Sequence, residues 1–174
     1  MKIALTGTMS VGKTSLVEAL KQIPEFSHYY FATERSKYLR DLGIPLNTDS
    51  TVQGQVIFMA ERSNELFNKN LITDRSIIDV MAFTSLSKTI SDQDKISLNN
   101  CASTLIKEYD HIFYIDPLGT ILEDNGVRCI DPQYREDIDK QICFILNKYS
   151  PKNLTILSGP TEDRINTIKE TLFY

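Results

Sequence analysis

The sequence predicts an α/β fold in three layers, a mostly parallel five-stranded sheet with helices on both faces and a short lid. Three observations predict it. Short apolar runs alternate along the chain with longer stretches of helical period, the pattern that builds a parallel sheet through crossover connections. The first run, Ile3-Ala4-Leu5, is followed at once by GTMSVGKT at residues 7–14, a complete G-x-x-x-x-G-K-[ST] phosphate-binding loop. The first four runs end in Thr6-Gly7, Thr33-Glu34, Asp74-Arg75 and Asp116, which gathers polar chemistry along the edge where such sheets take ligands. Together they define a P-loop NTPase fold.

The elements follow in order. A strand over 2–6 feeds a helix over 13–22, whose apolar positions Leu16, Val17, Leu20 and Ile23 recur at helical spacing, and Pro24 stops it. His28-Tyr29-Tyr30-Phe31-Ala32 reads as the second strand, and a short helix over 35–42 ends at Gly43 and Pro45. Asp49 or Ser50 caps a long helix through residue 68, with Val52, Val56, Met59, Ala60, Leu66 and Phe67 expected on its buried face. Leu71-Ile72-Thr73 is a buried strand, followed by helices over 76–86 and 92–108 and a fourth strand over 111–115. The stretch 117–133 holds two prolines, two glycines and several charges and reads as a mobile loop. A helix over 134–148, a strand over 154–157 and a helix over 161–172 complete a single expected domain, 1–174, with its lid at about 117–135.

Composition narrows the function. The formal net charge is -4, opposite to what an extended nucleic-acid surface uses. Cys101, Cys129 and Cys143 form no C-x-x-C pair and only two histidines are present, so reduced thiols are expected rather than a zinc site. A strand begins by residue 3, leaving no room for a signal peptide, and no apolar stretch approaches the roughly 18 residues of a membrane helix. A cytoplasmic protein without membrane partners is expected. The helix over 92–108 offers a face for a homodimer.

In the phosphate loop, Gly12 lets the backbone turn so that N–H groups point inward, and the helix from Lys13 adds its positive end. The run Gly7-Thr8-Met9-Ser10-Val11-Gly12-Lys13-Thr14-Ser15 is the expected ATP site. Lys13 reaches the β- and γ-phosphates, and the Thr14 hydroxyl is placed for Mg²⁺. Three classes compete for this loop. Asp116-Pro117-Leu118-Gly119 matches the D-x-x-G element of GTPases, but a guanine-reading N-K-x-D is absent. A motor ATPase needs more chain for its assembly surface. A kinase explains more residues, because phosphoryl transfer needs positive charge on donor and acceptor sides. Asp74 then holds Mg²⁺ or orients the acceptor, and Arg75 clamps phosphate; the plain alternative is an N-cap Asp beside an exposed Arg.

Phe58-Met59-Ala60-Glu61-Arg62, Leu71-Ile72-Thr73-Asp74-Arg75 and Ala82-Phe83 resemble the acceptor half of thymidylate kinases. That resemblance implies that Phe58 stacks on a pyrimidine, that Arg62 hydrogen-bonds it, and that Arg75 sits by the transferred phosphate. Phe83-Thr84 stands where that family carries Tyr-Gln, which leaves the base open. Asp74-Arg75-Ser76 is similar to the E-R-S of deoxyribonucleoside kinases, and both families place acidic and arginine residues where Thr33-Glu34-Arg35 falls. Glu34 is thereby a base or Mg²⁺-shell candidate and Arg35 an acceptor ligand. Glu123-Asp124-Asn125-Gly126-Val127-Arg128, with Arg135 beyond, resembles the lid of the ribosylnicotinamide kinase domain group of NadR-like AAA ATPases, making Arg128 and Arg135 lid arginines. Gln53 and Gln55 are candidate base readers, although a Gln on a helix flank is usually solvated. Ser158-Gly159-Pro160 falls where such folds approach adenine.

The activity these readings imply is ATP- and Mg²⁺-dependent phosphoryl transfer to a (deoxy)nucleoside monophosphate, with a pyrimidine suggested by the thymidylate kinase resemblance. A nucleoside kinase of deoxynucleoside or ribosylnicotinamide type is the alternative. A non-kinase NTPase switch is the rival class, and a modified or polymeric nucleotide is a further acceptor to test.

Overall fold

The computed structural model describes residues 1–33, 35–122 and 131–173. Its centre is β1 (Lys2–Thr6), flanked by β3 (Leu71–Thr73) and β4 (His111–Ile115), with β2 (Tyr30–Ala32) and β5 (Leu154–Leu157) outside them. The order is β2-β3-β1-β4-β5, and every neighbouring pair is parallel. Ile3 is in register with Ile72, Leu5 with Phe113, and Phe31 with Ile72. The first four strands therefore deliver their carboxyl ends to one edge.

Strand side chains alternate between faces, and the two cores obey that period. Ile3, Leu5, Phe113 and Ile115 pack on one face with Leu16, Val17 and Leu20 of α1 (Lys13–Leu20) and Ile168 of α7 (Thr161–Phe173). Ala4, Ile112 and Tyr114 face the other way, against α4 (Ile77–Leu86) and α6 (Pro132–Tyr149). α4 has apolar residues all round, with Ile77, Ile78, Val80, Met81 and Ala82 buried. It needs cover on more than one side, and α5 (Asp92–Ser103), α6 and α3 (Val52–Glu65) pack against it.

Gly7 is required where β1 enters the phosphate loop. Its φ is 153°, and a Cβ there would lie 2.9 Å from the Ile115 carbonyl oxygen, on the backbone of the neighbouring strand. Gly7→Ala is expected to destabilise the fold by about 1–3 kcal/mol, read as a lowered urea midpoint with an unchanged m-value.

Several boundaries differ from the sequence expectation for identifiable reasons. A 3₁₀ turn over Pro24–Phe26 and a bond from Tyr29 N–H to the Phe26 carbonyl (2.9 Å) hold His28 and Tyr29 out of β2. Thr51, not Asp49 or Ser50, caps α3, its hydroxyl accepting from Gly54 N–H at 3.2 Å. That helix stops at Glu65, whose carbonyl is capped by the Asn68 side chain. α5 ends at Ser103, and a separate 3₁₀ turn covers Ile106–Glu108. α6 starts at Pro132 rather than residue 134, because Asp131 caps it and proline suits the first helical position. α2 is confined to Ser36–Asp41.

The largest correction concerns the face of α3. Val56 is 42 % exposed and Phe67 86 %, and Ala60 is exposed too, whereas Gly54, Gln55 and Arg62 are buried with Phe58 and Met59 partly so. Of the expected stripe, Leu66 is buried and Met59 packs against the core, while Val56, Ala60 and Phe67 face solvent. α3 borders a polar cavity, so polar side chains are what it turns inward.

Candidate active site

The carboxyl edge of the sheet opens into one cavity of about 500 Å³. Residues 9–15 of the loop line one end, with Gly159, Pro160 and Arg164 beside them. Gln55, Phe58, Arg62, Arg75 and Phe83 line the other, and Asp74 and Asp79 lie on the wall.

Ser10 (φ 58°) and Gly12 (φ 86°) have positive φ and curl the loop backbone ahead of the α1 N-terminus, as a backbone nest for an anion requires. The Lys13 ammonium is 7 % exposed and donates to the Gly7 and Thr8 carbonyls at 2.5 and 2.7 Å. It also lies 4.0 Å from Asp79. Asp79 accepts from Thr6 Oγ1 (2.8 Å), Ser76 N–H (2.8 Å) and Ser76 Oγ (3.0 Å). All three donors meet Oδ2, and Oδ1 of this 1 % exposed side chain has the Lys13 ammonium 4.0 Å away. Asp79 thus completes the capping box of α4 and serves as counter-ion to Lys13.

The Thr14 hydroxyl donates to Asp74 Oδ2 at 2.7 Å. A hydroxyl and a carboxylate side by side at the mouth of the loop are hard oxygen donors of the kind Mg²⁺ takes along with phosphate oxygens and water, so these two residues fit that ion.

At the opposite end, Arg62 is 3 % exposed, donating from Nη2 to Glu65 Oε1 at 2.5 Å and from Nη1 to the Arg75 carbonyl at 3.3 Å. Glu61 lies 3.9 Å away. Arg75 lies over the Phe83 ring at 5.2 Å, a cation–π contact, and Phe83 meets Tyr134 edge-on. Gln55 is 3 % exposed on the cavity wall.

Glu65 also accepts from the Thr73 hydroxyl at 3.1 Å. Burial nevertheless outweighs Arg62 and that hydroxyl, pushing its carboxyl up to about 7. A carboxyl raised in the folded state binds its proton more tightly there than in the unfolded chain. Its contribution to stability is therefore full below the unfolded value near 4.5 and lost as pH rises through about 7. Glu65→Gln is expected to flatten that part of the profile, seen as a smaller difference in urea midpoint between pH 5 and pH 8.

Not every expected site residue meets the cavity. Gln53 is exposed and off the lining, because two positions of helix rotation put Gln55 inward instead. Arg35 is also exposed, lying over Tyr38 at 4.5 Å and pairing with Glu61 at 3.2 Å. Arg135 braces the loop: its Nε donates to the Met9 carbonyl at 3.0 Å, Nη1 to the Thr120 carbonyl at 3.1 Å, and Nη2 to the Thr120 hydroxyl. In return Thr8 Oγ1 donates to the Arg135 carbonyl at 2.9 Å. Glu34 and Arg128 lie outside the described residues.

Asp79 and Glu65 were missed as site residues, although Ser76-x-x-Asp79 before an apolar run is a legible capping signal. Arg164 was missed as well, and no local pattern marks it. It stands 5 % exposed on α7, and burial lowers its basicity, opposed by the charge of Asp116.

No curated protein sequence matches the chain. Deoxyadenosine kinase from M. mycoides with bound dCTP is similar in structure, with a TM-score of 0.70, 17% identity, and 99% of this chain and 98% of that chain covered. Thymidylate kinase from Candida albicans gives 0.68 at 18% identity, covering 97% and 90%. The NadR protein in complex with NR gives 0.75 at 16% identity, covering 97% of this chain and 50% of that one, so this chain spans half of its length. These likenesses establish the fold as that of P-loop kinases. Residues 2–164 match the family model described as an AAA domain; the chain belongs to that family of P-loop domains.

Proposed function

We propose that this protein is an ATP-dependent kinase that transfers the γ-phosphoryl group to a (deoxy)nucleoside monophosphate. The observation that carries the proposal is that one cavity is lined both by the phosphate loop and by Phe58, Arg62, Arg75 and Phe83. A nucleotide switch has no need of that second group. The donor's phosphates would lie in the loop, with Lys13 leaving the Gly7 and Thr8 carbonyls for their oxygens. Thr14 and Asp74 are the residues that would hold Mg²⁺, which would supply positive charge against the phosphates. Phe58 and Phe83 offer faces for a planar base, Gln55 an amide for its edge, and Arg62 and Arg75 positive charge for the acceptor phosphate.

In the transfer, an acceptor oxygen forms a bond to the γ-phosphorus as the bond to the β,γ-bridging oxygen breaks, and ADP leaves. A monophosphate oxygen is largely deprotonated at neutral pH, its second pKa being about 6, so such an acceptor needs no general base. A nucleoside hydroxyl does, and Glu34 is the candidate to take its proton.

A nucleoside acceptor is the second reading, favoured by Arg35 lying outside the cavity on Glu61 and by Arg62 carrying its own carboxylates. Both leave less net positive charge for an acceptor phosphate than the sequence suggested. ADP release with MgATP against a panel of nucleosides and their monophosphates separates the readings. Stimulation by one monophosphate supports the proposal, and stimulation by a nucleoside selects the second reading. A rate no acceptor raises would leave a switch or a polymer acceptor.

A further inference from the structure

We propose that Arg164 is a positioning residue for the phosphate loop: its guanidinium holds the Val11 carbonyl so that the Gly12 N–H is aimed at the donor's phosphates. The inference deepens the proposed function and rests on reading the loop end of the cavity as the donor site.

Three observations support it. The first is the contact itself, Arg164 Nη1 donating to the Val11 carbonyl at 2.6 Å across 153 positions of sequence. The peptide joining Val11 to Gly12 is trans, and in a trans peptide the C=O and N–H point in opposite directions. Fixing the Val11 oxygen on Arg164 therefore fixes the Gly12 N–H on the other side, toward the curl made by Ser10 and Gly12. Loop carbonyls pointed at phosphate would repel it, so turning this one away serves both groups of the peptide.

The second is how closely the two elements are fitted. A Cβ on Gly12 would come within 3.3 Å of Arg164 Nη1. Gly12 is thus needed for its φ of 86°, and a Cβ there would also crowd the guanidinium.

The third is the cost. Arg164 is 5 % exposed and lines the cavity, and its Nε is buried with no hydrogen-bond partner. Burying a guanidinium with an unpaired Nε costs desolvation that a residue serving only to pack α7 would not incur. Beside the loop on the cavity lining, Arg164 adds fixed positive charge where phosphates would bring negative charge.

The test is equilibrium binding, by calorimetry, of MgATP and of inorganic tripolyphosphate with Mg²⁺ to wild type, Arg164→Met and Arg164→Lys. Tripolyphosphate carries no base or sugar and reports the cradle alone. Arg164→Met is expected to weaken both ligands by about tenfold to a hundredfold, the range of one charge-assisted hydrogen bond. Lysine, which retains a charged donor, should recover part of the loss, and the Gly12 amide resonance of the ligand-free protein should move in both variants.

Loss of ATP affinity with tripolyphosphate bound within twofold of wild type would overturn the proposal in favour of a nucleoside contact. Unchanged affinity for both ligands would overturn it outright, whatever the effect on melting temperature. If the methionine variant does not fold, Arg164→Lys carries the comparison: unchanged tripolyphosphate affinity with an unmoved Gly12 resonance sinks the idea. Wild-type protein that binds both ligands but phosphorylates no acceptor would defeat the kinase reading and leave this comparison intact. Wild type that binds neither would defeat both.

Discussion

Lys13→Ala is expected to lower kcat/KM for phosphoryl transfer by about a hundredfold to ten-thousandfold, because the ammonium's main work is done on charge that develops in the transition state. In the resting structure that ammonium sits on the Gly7 and Thr8 carbonyls, at 2.5 and 2.7 Å, with Asp79 at 4.0 Å. Under the proposed function, phosphate oxygens would replace those carbonyls. Removing it also leaves Asp79, 1 % exposed, without its ammonium, so a loss of about 1–3 kcal/mol of stability is expected alongside. Lys13→Ala,Asp79→Asn should recover part of the stability and none of the rate. A Lys13→Ala protein that retains more than a tenth of wild-type kcat/KM would contradict the assigned role.

Asp74→Asn has the second large effect. Asn keeps an oxygen for the Thr14 hydroxyl, now at 2.7 Å from Asp74 Oδ2, while the charge and one acceptor oxygen give way to an NH2 group. The maximal rate is expected to fall about a hundredfold or more, with half-saturation by Mg²⁺ moved to at least about tenfold higher concentration. Stability is expected to change by no more than about 1–3 kcal/mol, the range for one buried hydrogen-bonded group. Titrating the rate with Mg²⁺ at saturating ATP measures the first effect, and urea unfolding the second. An unchanged Mg²⁺ half-saturation would remove Asp74 from the metal site, leaving it as an orienting residue for the acceptor.

The sheet was legible because each buried strand announces itself locally. Ile3-Ala4-Leu5, Leu71-Ile72-Thr73 and His111 to Ile115 are short apolar runs bounded by polar residues, and they pair as the alternation implied. The acceptor end was legible only by its residue types. Helical spacing pointed to Val56 and Phe67 as the inward face of α3, whereas Gln55 and Arg62 are inward. An apolar stripe is a reliable guide only when a helix packs on apolar neighbours, and α3 faces the cavity as much as the core. Of the two glutamines named as base readers, Gln55 lines the cavity and Gln53 does not, and Arg35 pairs with Glu61 instead of meeting the cavity.

By itself the sequence determined the phosphate loop, the parallel α/β order and the polar edge above β1, β3 and β4. Those features rest on contiguous residues whose chemistry is decided within one strand, turn or helix. Tertiary structure alone decided what meets that edge. Arg164 reaches Val11 from 153 residues away, Arg135 braces Met9 and Thr120 instead of entering the cavity, and Asp79 closes on Lys13 and Thr6. Contacts of that kind depend on where separate helices land on a twisted sheet, and no local period in the chain encodes the distance between them.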